Sequence, residues 1–364
     1  MRDLWPLFGN DLAAAQQSIL EAQKREPNNL HLLHLAISCG LHDTIQPIAE
    51  SDALSIGDRA TLNYRLQLHQ GNEHSAFRNI IHDKVAAYTS KAIEQSLKNC
   101  HALDIKMLGG IGDHLEALSI LKGWCMANGM SINLHIQEDR IRQLKRLMQQ
   151  LNWVANLIPY GNQEVQTIYN SVRRIIYESD PNHRNQALTN QNAETDKDII
   201  CCWRAAGTRQ ERFSIHSRSV PFQTVYHFYV ALLNKKTNYQ ITDITNWKSS
   251  EKNKLLQLGI YLHNPAKGDA IDLLELAKSH RQIISIDTAL AHLCAVNNIH
   301  SNLLLSLFPD ERWNYLLKKS SCYANNLNIY RQTQFGDWDP IVRQLAKEVI
   351  QKLSLSDSIS KHIA

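Results

Sequence analysis

No stretch of this chain comes near the roughly 18 uninterrupted apolar residues that a membrane-crossing helix needs. Its opening residues, MRDLWPLFGNDLAAAQQSILEAQKREP, put acidic and polar side chains where a secretory signal requires an apolar core. A cytoplasmic protein with no transmembrane segment is expected. Charge of one sign is also lacking: 39 Lys and Arg stand against 35 Asp and Glu, a formal net charge of +4. So small an excess argues against general nucleic-acid binding, although local basic clusters could hold a phosphate. The seven cysteines include no C-x-x-C pair. Their odd number and their places in apolar runs read as free core thiols of a reducing compartment. Adjacent Cys201 and Cys202 would point to opposite faces of a strand, which excludes a disulfide or a shared metal between them. The 17 histidines are scattered without metal-ligand spacing. The D-x-D spacing at Asp196-Lys197-Asp198 falls in a polar stretch ahead of a strand and reads as solvated charge, so no metal is expected.

What is present describes an ordinary globular chain. At 364 residues, with 43% hydrophobic and 20% charged residues, it has room for two or three domains. Residues 1–98 show helical periodicity without a convincing strand. Ala15, Ile19 and Ala22 ahead of Glu26-Pro27-Asn28 follow the small, bulky, small, proline order of the second helix of a tetratricopeptide repeat. A weaker echo runs through Tyr64, Leu66 and Leu68 to Gly71, Ala76 and Ile80. Such a segment reads either as a docking surface for an acceptor or protein partner, or as a helical cap that completes the fold.

At His101 the pattern changes to alternating strands and helices. Strands are expected at 105–108, 131–136 and 153–158 and helices at 115–127 and 140–151, with Gly109 to Asp113 as a turn; this is half of a doubly wound sheet spanning 101–180. The stretch 167–178 is ambiguous between helix and strand. Residues 181–198, rich in Asn and Gln, read as a linker or long loop. A second α/β domain, 199–340, is expected to begin at Ile199–Trp203. It runs through helices near 222–233, 250–258 and 271–279 and strands near 239–244 and 260–263. Residues 341–364 are a last helix, near 340–353, with a frayed tail.

The centre of that second domain is Ile283 to Trp313. A β-branched run ends at Asp287-Thr288, small residues follow at helical spacing, and a second apolar strand lies at Asn302–Phe308. This βαβ unit places Asp287, the Thr288 hydroxyl and the backbone N–H groups that open the helix, including that of Ala289, at the carboxyl edge of a parallel sheet. His292 lies one turn beyond Thr288 on the same helix face. An ordinary helix cap remains the alternative for Asp287 and Thr288. The loop from Trp203 to Pro221 holds Arg204, Arg209, Arg212 and Arg218 between a strand and a helix, where guanidinium forks suit a diphosphate; a solvated charged loop is the alternative. In the first domain Gly110 and Gly112 bring the backbone close to a ligand, and Asp113 could accept a proton from an attacking hydroxyl or merely cap the helix. A dinucleotide site there is disfavoured. Leu115 replaces the third glycine, and Asp113 would face the pyrophosphate. Trp247 and His263 to Asp269 follow strands on the ligand edge and could contact a base and ribose.

The runs L-G-G-I-G-D, S-R-S-V-P, D-T-A-L-A-H, F-P-D-E-R-W and F-G-D-W-D, in this order, resemble those of the bacterial glycosyltransferases that carry tetratricopeptide repeats. The lipopolysaccharide heptosyltransferases, glycosyltransferase family 9, are similar at greater distance. The resemblance implies a GT-B fold, two Rossmann-like domains facing across a cleft behind an all-α repeat segment. It implies a metal-independent, inverting transfer of a hexosyl or heptosyl group from a nucleotide-diphosphate sugar to an acceptor hydroxyl, with no permanently bound cofactor. Asp113 stands in the family's G-x-G-D position as general base, and Arg218, ahead of Arg204 and Arg209, takes the phosphates with Asp287, Thr288, Ala289 and His292. The acceptor is a glycan, a lipid-linked saccharide or a protein. Asn298 and His300 depart from the glycine and proline usual before the next strand, and the first domain is short. A non-catalytic repeat-type binding module on a degenerate transferase body is the rival; a nucleotide-sugar epimerase is weaker, because its Tyr-x-x-x-Lys pair would have to be Tyr315 and Lys319, too near the C-terminus.

Overall fold

A computed structural model of the chain describes residues 12–70, 99, 102–107, 110–159, 197–205, 218–235, 239–264, 268–307, 309, 313, 326–334 and 336–363. Arg209, Arg212, the second repeat echo beyond position 70, the stretch 167–178 and most of the expected linker lie outside the described residues.

The chain divides into two compact units, residues 1–190 with 296–298 and 308–325, and residues 191–295 with 299–307 and 326–364. Among the described residues the first unit begins with four helices: α1 (Leu12–Arg25), α2 (Leu30–Ser38), α3 (His42–Ala49) and α4 (Ile56–His69). Helix α2 packs against the other three, burying Leu32, Leu33, Ala36 and Ile37 with Ile19, Ile45, Leu62 and Leu66. Ile19, placed by the repeat pattern at a packing position, is buried in that core.

A three-stranded parallel sheet follows, β1 (Leu103–Lys106), β2 (Ile132–Ile136) and β3 (Val154–Pro159), in the order β1-β2-β3 with α5 (Ile111–Asn128) and α6 (Glu138–Gln149) as crossovers. Period-two alternation decides its faces. Leu103, Ile105, Ile132, Leu134 and Ile136 are buried, whereas Asp104, Asn133, His135 and Asn156 form a hydrogen-bonded polar ladder on the other side. Two corrections apply to this unit: β1 covers Leu103–Lys106 where 105–108 was expected, and α5 starts before the expected 115. Helix α5 begins at Ile111, so Gly112 and Asp113 belong to its first turn and not to a preceding loop. It ends at Gly129, whose φ of 61° is a left-handed cap that lets Met130 N–H reach the Cys125 carbonyl at 2.9 Å. A Cβ at Gly129 would meet nothing within 4 Å. Gly129→Ala should therefore cost only the backbone strain, about 1 kcal/mol, checked by urea unfolding.

Among the described residues the second unit holds six parallel strands: β4 (Lys197–Cys202), β5 (Ile241–Asp243), β6 (Tyr261–Leu262), β7 (His280–Ile286), β8 (Ser301–Leu305) and β9 (Leu327–Arg331). Their order is β6-β5-β4-β7-β8-β9. Helices α7 (Phe222–Leu233), α8 (Ser249–Gln257), α9 (Ala270–Lys278) and α10 (Ala289–Val296) connect them, and α11 (Asp339–Ile363) closes the unit against α7 and β9. The order reverses between β4 and β7, the topological switch point of a doubly wound fold. Apolar cores fill both faces, and the adjacent cysteines divide between them as expected, Cys201 with Trp203 and Tyr229, Cys202 with Ile244 and Leu290. Cys39, Cys125, Cys201, Cys202 and Cys294 are free and buried.

Three expectations need correction here. The sheet begins at Lys197, so Lys197 and Asp198 leave the linker for β4. Asp198 is not solvated: its Oδ2 accepts the Gln240 N–H at 2.9 Å, and Oδ1 lies 3.6 Å from Arg281. The last helix reaches Ile363 rather than fraying after Leu353, because no Gly or Pro interrupts 341–363 and Ser354 Oγ bonds back to the Ile350 carbonyl. Asn298 takes a φ of 61° just after α10, so it performs the left-handed turn for which a glycine is usual.

Candidate functional site

Strands β4 and β7 end side by side at the switch point, and their loops carry most of the second unit's predicted residues. The β4 loop is clamped at both described ends. Trp203 N–H donates to Thr245 Oγ1 at 2.9 Å, and Val220 N–H donates to the Trp203 carbonyl at 2.9 Å. This brings Arg218 over the end of β7, where its Nη1 donates to Asp287 Oδ2 at 2.9 Å and to the Asp287 carbonyl at 3.1 Å. His292 Nε2 meets the other oxygen, Oδ1, at 3.2 Å. A carboxylate beside a guanidinium only accepts, so Nε2 is the donor in this contact. The Asp287 and His292 side chains are 5% and 2% exposed, against 35% for Arg218. Asp287 is thus the interior anchor of the group, and Arg218 is the cation that meets solvent.

Thr288 is held as well. Ser285 Oγ gives its proton to the Ile286 carbonyl at 2.7 Å, so the 2.8 Å contact between the two hydroxyls has Thr288 as donor. Ala289 opens α10, whose first backbone N–H groups have no partner within the helix and carry the positive end of its dipole. A half-exposed guanidinium beside a helix N-terminus at a switch point is an arrangement suited to a phosphate or diphosphate.

Arg204 is paired within its own unit. Its Nη1 and Nη2 fork onto Glu251 at 3.0 and 3.1 Å, and its guanidinium carbon lies 4.4 Å from the centre of the Trp247 ring. The carboxylate answers its charge and takes the terminal Nη1/Nη2 edge, so Arg204 offers a phosphate less than Arg218 does. Trp247 is buried, with Nε1 donating to Asp243 Oδ2 at 2.8 Å. Asp243 also accepts Tyr229 Oη–H at 2.8 Å and Thr245 N–H at 2.7 Å, and Tyr229 receives Trp203 Nε1–H at 2.7 Å. Sequence reading missed this hub. Its signal was a lone carboxylate closing an otherwise buried strand.

Burial pushes the Asp243 pKa above the usual carboxylate value, against its hydrogen bonds, and pushes Tyr229 well above the usual phenol value with Asp243 adding to the rise. A carboxyl whose folded pKa exceeds its unfolded one binds its proton more tightly when folded. Its contribution to stability is present below the ordinary Asp value and is lost as pH rises through the folded value. Asp243→Ala strands three buried donors and should cost about 3–5 kcal/mol by urea unfolding at neutral pH. Burial also raises the Cys202 thiol to about 12 and Cys201 well above its usual value, which removes both as nucleophiles.

In the first unit Asp113 Oδ2 accepts the Gly110 N–H at 2.5 Å, and His114 Nδ1 contacts the Gly110 carbonyl at 2.7 Å. Gly110 and Gly112 flank the start of α5, and a Cβ on Gly110 would meet Asp113 Oδ2 at 3.5 Å. Asp113 is half-buried at the first turn of α5, so it caps that helix with one oxygen.

No family model and no curated protein matches the chain. Among solved structures it is similar to the glycosyl transferase family 9 of Veillonella parvula at 10% identity and a TM-score of 0.49, over 68% of this chain and 97% of that one. It is also similar to the ADP-heptose lipopolysaccharide heptosyltransferase II of E. coli, at 10% identity and a TM-score of 0.44, over 68% and 98%. A mutant form of the O-GlcNAc transferase of Thermobaculum terrenum matches at 11% identity and a TM-score of 0.31, over 95% and 91%.

Proposed function

We propose that the chain is a metal-independent inverting glycosyltransferase of the GT-B type, using a nucleotide-diphosphate sugar. The observation that carries this is the Arg218–Asp287–His292 group beside the N-terminus of α10 at the β4/β7 switch point. Asp113 takes the proton of the acceptor hydroxyl, whose oxygen attacks the anomeric carbon. The bond from that carbon to the β-phosphate oxygen breaks, and the nucleoside diphosphate leaves with the electron pair. Negative charge growing on it is met by Arg218 and the α10 dipole, fixed beforehand by Asp287. The Thr288 and Ala289 N–H groups and His292 complete the contacts to diphosphate and sugar. Helices α1–α4 serve as a repeat-like docking surface for the acceptor, a glycan, lipid-linked saccharide or protein, or for a partner.

One observation favours the rival reading, a non-catalytic binding module: Asp113 already works as a helix cap. Calorimetric titration with ADP, GDP and UDP, followed by donor-sugar hydrolysis and transfer assays, separates the two. Binding with turnover is expected. Binding without turnover across broad donor and acceptor panels would favour the module, and no binding of any diphosphate would remove both.

A further inference from the structure

We propose that the Arg204 guanidinium is the stacking platform for the nucleobase of the bound nucleotide; this rests on reading the β4/β7 edge as a nucleoside-diphosphate site. The platform is built in three layers from the interior outward. Asp243, fully buried, fixes the Trp247 ring through its N–H at 2.8 Å. Phe222 meets Trp247 edge-on, with centroids 5.3 Å apart and planes at 77°, so the ring cannot turn. Arg204 then lies on Trp247 with its carbon 4.4 Å from the ring centre, and Glu251 grips the far edge of the guanidinium with both oxygens. Its orientation is therefore set from one face and one edge, and 26% of its side chain remains accessible.

This arrangement leaves Arg204 a particular kind of chemistry. Its charge is answered by Glu251, which also takes the terminal Nη1/Nη2 edge, so it offers a phosphate less than an uncompensated guanidinium would. What remains is a flat, delocalised face held rigid on an aromatic ring, a surface on which heteroaromatic bases stack irrespective of sequence or hydrogen-bonding edge. Its place fits the same ligand. Arg204 follows β4 and Trp247 follows β5, next to β7 in the order β5-β4-β7, so base and diphosphate would occupy neighbouring positions along one carboxyl edge. Arg218 lies at the other end of the same loop.

The test compares ligands with and without a base. Wild-type protein and Arg204→Lys are titrated calorimetrically with ADP, UDP and inorganic pyrophosphate. Lysine keeps the cation and loses the plane, so ADP and UDP affinity should fall about ten-fold, with pyrophosphate affinity within about two-fold of wild type. Unchanged nucleotide affinity, or equal losses for nucleotide and pyrophosphate, would overturn the platform. In wild-type protein, tryptophan emission should change on adding ADP and not on adding pyrophosphate, which keeps the test decisive if the variant folds poorly; identical responses would also overturn it. Pyrophosphate binding with no tighter binding of either nucleotide would sink the platform and spare the phosphate site. Binding of none of the three would sink the site itself, and the platform with it.

Discussion

Arg218→Ala should weaken nucleoside-diphosphate binding by about 10- to 100-fold, the loss of one charge-assisted fork. Arg218 is the exposed member of its group, 35% accessible against 5% for its partner, so the substitution removes a cation that meets ligand more than one that supports the core. The substitution also leaves the buried Asp287 carboxylate without this cation, so some stability is lost with the affinity. The unfolding midpoint should fall, and binding should become less salt-dependent, because one screened charge is gone. Arg218→Lys should recover part of the affinity, since a point charge replaces a planar donor pair. A stability loss without a binding loss would instead make the Arg218–Asp287 contact an internal strut.

Asp113→Asn is expected to lower turnover by about 100- to 10,000-fold, the range of a lost general base, while leaving nucleotide affinity within a few-fold. Asparagine is the informative replacement because its side-chain oxygen can still accept the Gly110 N–H that Asp113 Oδ2 now takes. The cap survives and the base does not. Asp113→Ala removes both and should add about 1 kcal/mol of destabilisation from the lost cap. Equal losses of turnover, affinity and stability in the two variants would mark Asp113 as a cap alone.

Several parts of this arrangement were legible in the sequence because they rest on local rules. The β-branched run ending at Asp287-Thr288, followed by small residues, could only be a buried strand feeding a helix, and β7 and α10 are that pair. The helix Phe222–Leu233 follows a proline with aromatic and aliphatic residues at helical spacing, and it has the expected bounds. Cys201 and Cys202 divide between the two faces because strand side chains alternate.

Other parts depended on contacts between residues far apart in the chain. Arg204 looked like Arg218 in the sequence, a guanidinium in a loop after a strand. Glu251, 47 positions away, takes its terminal Nη1/Nη2 edge. Asp198 looked like solvated charge in a polar linker, yet the neighbouring strand needed an acceptor for the Gln240 N–H. The Asp243 hub joins two loops and a helix, and no spacing rule connects Trp203, Tyr229 and Trp247. Trp247 follows a strand on the ligand edge and could contact a base or ribose by that placement; its ring is buried, with the Arg204 guanidinium lying over it.

A crystal structure with a bound nucleoside diphosphate puts the most at stake. Its phosphate oxygens should accept hydrogen bonds from Arg218 and from the backbone N–H groups of Thr288 and Ala289, at the switch between β4 and β7. A nucleotide seated at the opposite, amino-terminal edge of that sheet, or bound with Arg218 turned away from its phosphates, would contradict the assignment.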